Sequence, residues 1–495
     1  MIHPVVIVGA GPTGLTLAID LAQRGVHTLL IDGDARRAKG LPSAGSKAIC
    51  FAKRTLEVWD KLSVGQRMVD KGVPWNVGRV FLQDDEVYSF NLSDAKSVQA
   101  EPALASSNQR PAFINLQQYY AEEYLMDRAK ELPLIEIRLG STVKSITQNG
   151  SQATLAVTSS DSDYEISANY VVACDGSKST IKRSLGLESQ GRIFQDRFLI
   201  ADVRMAAQFP TERWFWFDPP FHPNQSVLLH RQPDDVWRID FQLGWDADPE
   251  EEKKPENIRP RVQALLDKAG MKTDFELVWA SVYTFACTRM DKFVHDRVIF
   301  AGDAAHGVSP FGARGANSGV QDAENLAWKL ALVLKQGKDF DKLSPNGRAL
   351  IESYGIEREY AADDNIKQST RSTDFITPKS EISHVFRRAV LDLARQHPFA
   401  RSLVNSGRLS TATHLWSSPL HTADADSGRG EVFPLGALAV GSVMHGQTNT
   451  DTDTIERDGV TYLVRPDGHI AARWLHPTER LVQAARDKAC GGMAC

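Results

Sequence analysis

A strand-like run, Val5–Val8, leads straight into GAGPTG, with Gly9, Gly11 and Gly14, and no other junction limits the fold of this chain so strongly. An apolar-periodic helix pattern follows to about Arg24, Gly25 stops it, and a second strand run ends on Asp32. In such a strand–turn–helix–strand unit each glycine has its own reason: a tight turn, close approach of a pyrophosphate to the backbone, and close packing of helix on strand. Asp32 lies eighteen residues beyond Gly14, where an acid can accept from ribose hydroxyls. An ordinary tight turn would need no such acid. The unit predicts a dinucleotide site that includes Pro12 and Thr13, inside an α/β fold.

Two later strand ends repeat the theme. YVVACDGSKSTIKRSLGL, residues 170–187, runs a strand into Asp175 and Gly176 before a polar helix start. RVIFAGDAAHGVSPFGARGANSGVQDAENLAWKL, residues 297–330, runs a strand into Gly302 and Asp303, passes Pro310, Gly312 and Gly315, and enters a long apolar-periodic helix. The free N–H groups and dipole of that helix start favour negative charge in front of it. His306, just after the turn, is expected to stand behind the ligand rather than touch it.

Taken in order, GAGPTG, ACDG and FAGDAAH resemble the FAD-dependent aromatic hydroxylases, the single-component group of 4-hydroxybenzoate, phenol and 3-(3-hydroxyphenyl)propionate hydroxylases. The resemblance covers residues 1 to about 345 and continues weakly to the C-terminus. It implies a Rossmann-like FAD-binding domain of the 4-hydroxybenzoate hydroxylase type, an inserted β-sheet substrate domain, and a small C-terminal α/β appendage. It implies FAD as cofactor, NADH or NADPH as transient reductant, dioxygen as co-substrate, and hydroxylation of a small phenolic or related ring. By the same resemblance Gly9, Gly11, Gly14 and Asp32 hold the ADP half, Asp175 and Gly176 lie near the pyrophosphate, and Gly302 and Asp303 hold the ribityl chain. Pro310, Gly312, Arg314, Gly315, Ala316 and Asn317 would border the isoalloxazine, with Gln118 and Arg54 as further FAD contacts.

The chain also departs from that pattern. Arg314 stands in GARGAN where many relatives carry a smaller polar residue, and Asp32 is followed by Gly33 rather than by a basic residue. Ile49 falls where the phenol hydroxylase branch places an aspartate for the phenolic proton. His230, Arg231 and Tyr283 are the candidates to activate the substrate instead. Baeyer–Villiger or epoxidising monooxygenases share this cofactor and fold. So do the halogenases, whose WxWxIP pattern WFWFDP loosely matches at residues 214–219. A non-catalytic binding protein on the same fold, like the prenyl-GTPase escort proteins, is a reading from another class.

With 495 residues, 42% hydrophobic, and a net charge of −5, the chain can build several cores and carries no charge excess suited to nucleic acid. The first strand starts too early for a signal peptide, no apolar run approaches the ~20 residues of a membrane span, and five scattered cysteines suit a reducing cytoplasm. The expected domains are 1–75, 105–189 and 291–345 for FAD, 76–104 and 190–290 for substrate, 346–415 as linking helices with solvated charge runs, and 416–495 as a short thioredoxin-like region. That last region lacks CxxC, invites a packing or homodimer-contact role, and is expected to end in a frayed CGGMAC tail. Within the substrate domain, Ser226–His230 and Val236–Leu243 flank a turn at residues 232–235. Trp237, Ile239, Phe241 and Leu243 form its packing face. The other face, Arg238, Asp240 and Gln242, either lines a substrate cavity or is solvated, the commoner outcome for such a face, while the aromatic window Trp214–Phe217 is read as either pocket wall or core.

Overall fold

In the computed structural model, which describes residues 2–39, 47–92, 110–160, 162–335, 344–404, 409–424, 433–434, 436–446 and 451–493, four strand ends lie side by side. Val8 pairs with Ile31 on one side and Ala173 on the other, and Ala173 pairs with Phe300, all in parallel. The strands are Ile2–Val8, Thr28–Asp32, Asp163–Ala173 and Val298–Phe300, and Ile135–Leu139 extends the sheet beyond Thr28–Asp32. Their apolar runs are buried without alternation, as a parallel sheet covered by helices requires. Because the register aligns their carboxyl ends, the loops after Val8, Asp32, Ala173 and Phe300 all emerge along one edge, where ligands of open α/β sheets bind.

A second eight-stranded sheet carries, in spatial order, His306–Gly307, Phe275–Met290, Ser189–Met205, Val236–Leu243, Ser226–Arg231, Arg213–Phe217, Val77–Leu82 and Asp85–Asn91. The expected hairpin is present: Asp234 and Asp235 both take left-handed backbone, which matches a tight turn to the twist of its strands. Trp237, Ile239, Phe241 and Leu243 pack on Ile258, Val262, Leu265 and Leu266 of the helix Pro255–Lys268. The sheet takes in strands on both sides of the segment 93–109, and the expected boundary between 104 and 105 falls outside the described residues.

The helix Pro345–Ile376 reaches from the core of the first sheet, through Leu350, Ile351 and Tyr354, to the core beside the second, through Phe375 and Ile376. Its charge run is not solvated as expected: Glu357 and Arg358 are each 1% exposed. Glu357 accepts from Lys329 at 2.7 Å and from both terminal nitrogens of Arg465 at 2.6 and 2.9 Å, while Arg358 pairs with Asp322 at 2.6 Å. Arg465 directly follows the strand Val460–Val464 of the C-terminal antiparallel sheet, which also holds Asp453–Arg457 and Ile470–Trp474, so this buried network ties that region to the helices below it. Nor does the described part of the CGGMAC tail, residues 490–493, fray. Cys490 is buried and disulfide-bonded, Met493 joins the main core, and Asn346 donates to the Gly492 carbonyl at 3.0 Å; Cys495 lies outside the described residues. No helix among the described residues is long and apolar enough to cross a membrane.

Candidate functional site

The three strand-end signatures meet in van der Waals contact, and glycines make the meeting possible. A Cβ on Gly14 would lie 1.9 Å from the Gly9 carbonyl oxygen, and one on Gly9 would lie 2.3 Å from the Cys174 carbonyl oxygen. On the other side, Thr13 Oγ1 sits 2.8 Å from a Cβ position on Gly302 and 2.3 Å from one on Gly319. The first helix, the CDG turn, the GD turn and the helix Gly315–Lys335 therefore share a single junction. Gly319, inside that last helix, was not anticipated from the sequence; an unexplained glycine in a helix interior was the available signal.

A cavity of about 560 Å³ opens from this junction. At one end it is lined by Gly9, Gly11, Pro12, Thr13, Asp32, Gln118, Asp175 and Gly176. Gly11 begins the helix Pro12–Gln23, no side chain caps that start, and nothing lies within 4 Å of where a Gly11 side chain would project. The helix dipole thus faces open space. Asp32 accepts from the backbone N–H of Ala10 at 2.6 Å and of Asp34 at 2.7 Å. Gly33 replaces a basic residue because Thr142 Oγ1 occupies its side-chain position at 2.7 Å, and Arg37 reaches Asp32 from farther along at 3.4 Å. Gln118 accepts from the Ala48 N–H at 2.9 Å and donates to Glu122 at 2.8 Å. Asp175 Oδ2 accepts from Thr180 N at 2.8 Å, whereas its Oδ1 is buried without a partner among the described residues; burial raises this carboxyl above its ordinary range.

The middle of the cavity is lined by Asp303, Pro310, Arg314, Gly315, Ala316 and Asn317. Asp303 is enclosed deep within the protein but its surface opens onto the cavity, and desolvation raises its carboxyl too. Asn317 accepts from Ala52 N at 2.8 Å and Thr55 Oγ1 at 2.6 Å, fixing the helix start against the neighbouring strand. Arg314 is 2% exposed and donates to Asn365 at 2.9 Å, so it is anchored in the protein rather than pointing outward. Ile49 lines the wall, and Cys50 beside it has its thiol pushed up to about 11 by burial.

Four of the residues expected to touch the cofactor do not line this cavity. Arg54 is 2% exposed and held by Glu324 at 2.6 Å and by the Asp467 carbonyl, a charge pairing that draws it toward the C-terminal sheet. Gly302 is turned against Thr13 and donates to Asp322 at 2.9 Å. Gly14 lies behind the wall as a packing position, and Gly312 serves the loop through its positive φ and a bond from Ser410 N to its carbonyl at 2.8 Å. His306 is also set back, paired with Asp322 at 2.7 Å.

The far end is a face of the second sheet. Arg213 pairs across the strands with His230, His230 with Arg238, and Arg238 with Asp202, so these four side chains form one row. One step along, Leu228 faces Asp240, which faces Ile200. Arg213, His230, Arg238, Asp240, Leu228 and Ile200 line the cavity with Tyr283, Phe198 and Phe311. The Arg238–Asp240 face is therefore enclosed rather than solvated, because the first domain and its loops cover it. Arg231, next to His230, takes the opposite face by strand alternation and is absent from the cavity. Trp214 and Trp216 pack in the sheet's other core with Phe81 and Phe209, so the aromatic window is core and only Arg213 at its start reaches the site. Nothing in the sequence points to Arg213 or Asp202, because cross-strand register cannot be derived from strand patterns alone.

Charge on this face is distributed unevenly. Arg238 is clamped by Asp202 through bonds of 2.7 and 2.8 Å. His230 bonds Asp240 at 3.2 Å, and burial together with the neighbouring Arg213 lowers its pKa to about 4, leaving it neutral near pH 7. Burial raises the Tyr283 phenol, with Asp303 adding to the effect.

The chain matches the family described as FAD binding domain over residues 3–369. It is 32% identical over 362 residues to the probable NADH-specific resorcinol 4-hydroxylase of Rhodococcus jostii (strain RHA1), covering 72% of this chain and 62% of that protein. It is 28% identical to the 3-(3-hydroxy-phenyl)propionate/3-hydroxycinnamic acid hydroxylase of Escherichia coli O8 (strain IAI1), covering 78% and 64%. The chain thus spans just under two thirds of the length of these two relatives. Its fold matches the flavin-dependent monooxygenase PieE in complex with FAD and substrate, with a TM-score of 0.78 at 17% identity and 99% of both chains covered. An aklavinone-11 hydroxylase bound to FAD and aklavinone gives 0.74 at 19% identity, again over 99% of both. The uncapped helix start, the cleared space at Gly11 and the acid at Asp32 suit the ADP half of such a cofactor. The sequence match runs through all three strand-end signatures, and the chain is a member of the family of FAD binding domains.

Proposed function

We propose that this protein is an FAD-dependent monooxygenase that uses NADH and dioxygen to hydroxylate an aromatic ring bearing a hydroxyl or amino group. The observation that carries the reading is the continuity of the cavity: one space joins the dinucleotide end at Gly11 and Asp32 to a half-aromatic, half-polar chamber on the second sheet. A protein that only held FAD would need no such chamber. The relatives named as resorcinol and hydroxyphenylpropionate hydroxylases support the same reading.

FAD, when bound, supplies the redox chemistry, accepting reducing equivalents from the nicotinamide and activating oxygen. The chain's own groups bind, orient and keep the site dry. The start of the helix Pro12–Gln23 would face the pyrophosphate, Asp32 the adenosine ribose, and Asp303 the ribityl chain. Pro310 and the backbone of residues 315–317 would border the ring, with the helix dipole favouring negative charge there. Phe198, Phe311, Leu228 and Ile200 surround the substrate with apolar surface, which excludes the water that would divert activated oxygen to peroxide. His230, neutral and bonded to Asp240 through Nε2, offers Nδ1 as the acceptor for the proton of the ring's hydroxyl, and Tyr283 positions that hydroxyl from the strand Phe275–Met290 on the same face.

The test is NADH consumption by FAD-loaded protein with phenols and aminobenzenes, with product mass and hydrogen peroxide measured together. Products one oxygen atom heavier, formed in proportion to NADH, are expected. If no ring compound accelerates NADH oxidation, or all reducing equivalents return as peroxide, the reading fails.

A further inference from the structure

Of the two guanidinium groups in the row across the second sheet, one has its counter-ion and the other does not. Arg238 is clamped by Asp202. Arg213, 4% exposed, donates no side-chain hydrogen bond to any described residue, and its Nε and Nη1 are buried without partners. No described side chain forms an ion pair with it, and the Asp240 carboxylate acts on it only through space. His230 opposite is uncharged near neutral pH, Asp240 is engaged with His230, and the Cys50 thiol stays protonated because burial raises its pKa. Trp75 and Phe215 place their rings 5.8 and 5.1 Å from the guanidinium carbon, which steadies the cation without cancelling its charge. Leaving a charge buried and unpaired lowers stability, and a planar guanidinium fork matches a carboxylate in two parallel bonds. FAD does not account for it: the groups facing the phosphates are on the first sheet, while Arg213 is on the second beside the proposed proton-holding pair.

Resting on the hydroxylase reading, we propose that Arg213 is a specificity-determining residue that binds a carboxylate borne by the aromatic substrate. The enzyme then acts on hydroxy- or amino-substituted aromatic acids in preference to uncharged phenols, with the acid at Arg213 and the ring hydroxyl at His230.

Binding can be read apart from turnover, through the change in flavin absorbance of FAD-loaded protein. The probes are 3-hydroxybenzoate and 3-(3-hydroxyphenyl)propionate, each against its primary amide, with resorcinol as an uncharged phenol. At least one acid should bind about tenfold or more tightly than its amide, the range of a charge-assisted hydrogen bond. Arg213→Met should abolish that ratio while sparing the amides, and Arg213→Lys should keep part of it. The ligand-free Arg213→Met protein should melt no lower than the parent, since it loses an unpaired buried charge rather than a structural contact. The inference is overturned if no acid outbinds its amide in the parent protein, a comparison that needs no variant, or if the ratio survives Arg213→Met. Hydroxylation of resorcinol with no preference for acids would remove this inference and keep the hydroxylase reading. Arg213-dependent binding of acids without any hydroxylated product would do the reverse.

Discussion

Gly11→Ala and Gly14→Ala make the same chemical change three residues apart, and the structure assigns them opposite consequences. At Gly14 the new Cβ would stand 1.9 Å from the Gly9 carbonyl oxygen, against a practical minimum of 3.0 Å, so helix and strand must separate by about 1 Å. That contact is backbone and cannot rotate away. Overpacking of this kind costs roughly 1–3 kcal/mol, and it loosens the junction that also seats Cys174. At Gly11 the φ of −74° is open to any residue and nothing lies within 4 Å of the added methyl, which projects from the cavity wall. Stability of the apoprotein should change by less than about 1 kcal/mol, the loss expected on placing alanine at a helix N-cap. FAD affinity should fall at least tenfold, because the methyl stands where the pyrophosphate must meet the backbone. Thermal melts of the apoproteins and FAD titration followed by flavin fluorescence separate the two. Gly14→Ala lowers the melting temperature first; Gly11→Ala leaves it and loses the cofactor. A Gly11→Ala protein that takes up FAD at the parent affinity, or that unfolds as readily as Gly14→Ala, refutes the assignment of these two glycines.

His230 should make the fold acid-sensitive. Its folded pKa, about 4, lies below the ordinary 6.5, so its contribution is complete above pH 6.5 and is lost as pH falls toward 4. The difference corresponds to about 3 kcal/mol. Urea melts at pH 7.5 and 4.5 should show a smaller acid loss for His230→Gln than for the parent; some loss will remain because His421 is lowered in the same sense, to about 3. Equal losses in both proteins would count against a buried neutral imidazole. Arg465→Met removes one of the two cations paired with Glu357 while the carboxylate stays buried, and should cost roughly 3–5 kcal/mol. Limited proteolysis should then cut after residue 409 sooner than in the parent, and an unchanged digestion pattern would show that the network does not secure the C-terminal sheet.

What could be read from the sequence and what could not divide along a physical line. GAGPTG, Asp32, ACDG and FAGD were legible because each is local: a strand end, a glycine and an acid within a few residues carry their own geometry, and parallel register then brings Val8, Ala173 and Phe300 level without further instruction. Arg54 was misread because its contacts arise from distant segments. A carboxylate at Glu324 and a carbonyl at Asp467 claim it, and no local pattern announces either. The run around Glu357 and Arg358 looked solvated for the same reason, since its counter-charges, Arg465 and Asp322, are 108 and 36 residues away. The chamber on the second sheet is the sharpest case. Strand alternation separates His230 from Arg231 correctly, but which face is enclosed depends on the domain packed above it. Arg213 meets His230 only through antiparallel register across a connection whose length varies freely. The division follows the function. Contacts with a fixed cofactor can be written into short turns, whereas contacts with a substrate are assembled from single residues on several strands. One change, such as at Arg213, would then alter the ring compound accepted without disturbing the turns proposed to hold FAD.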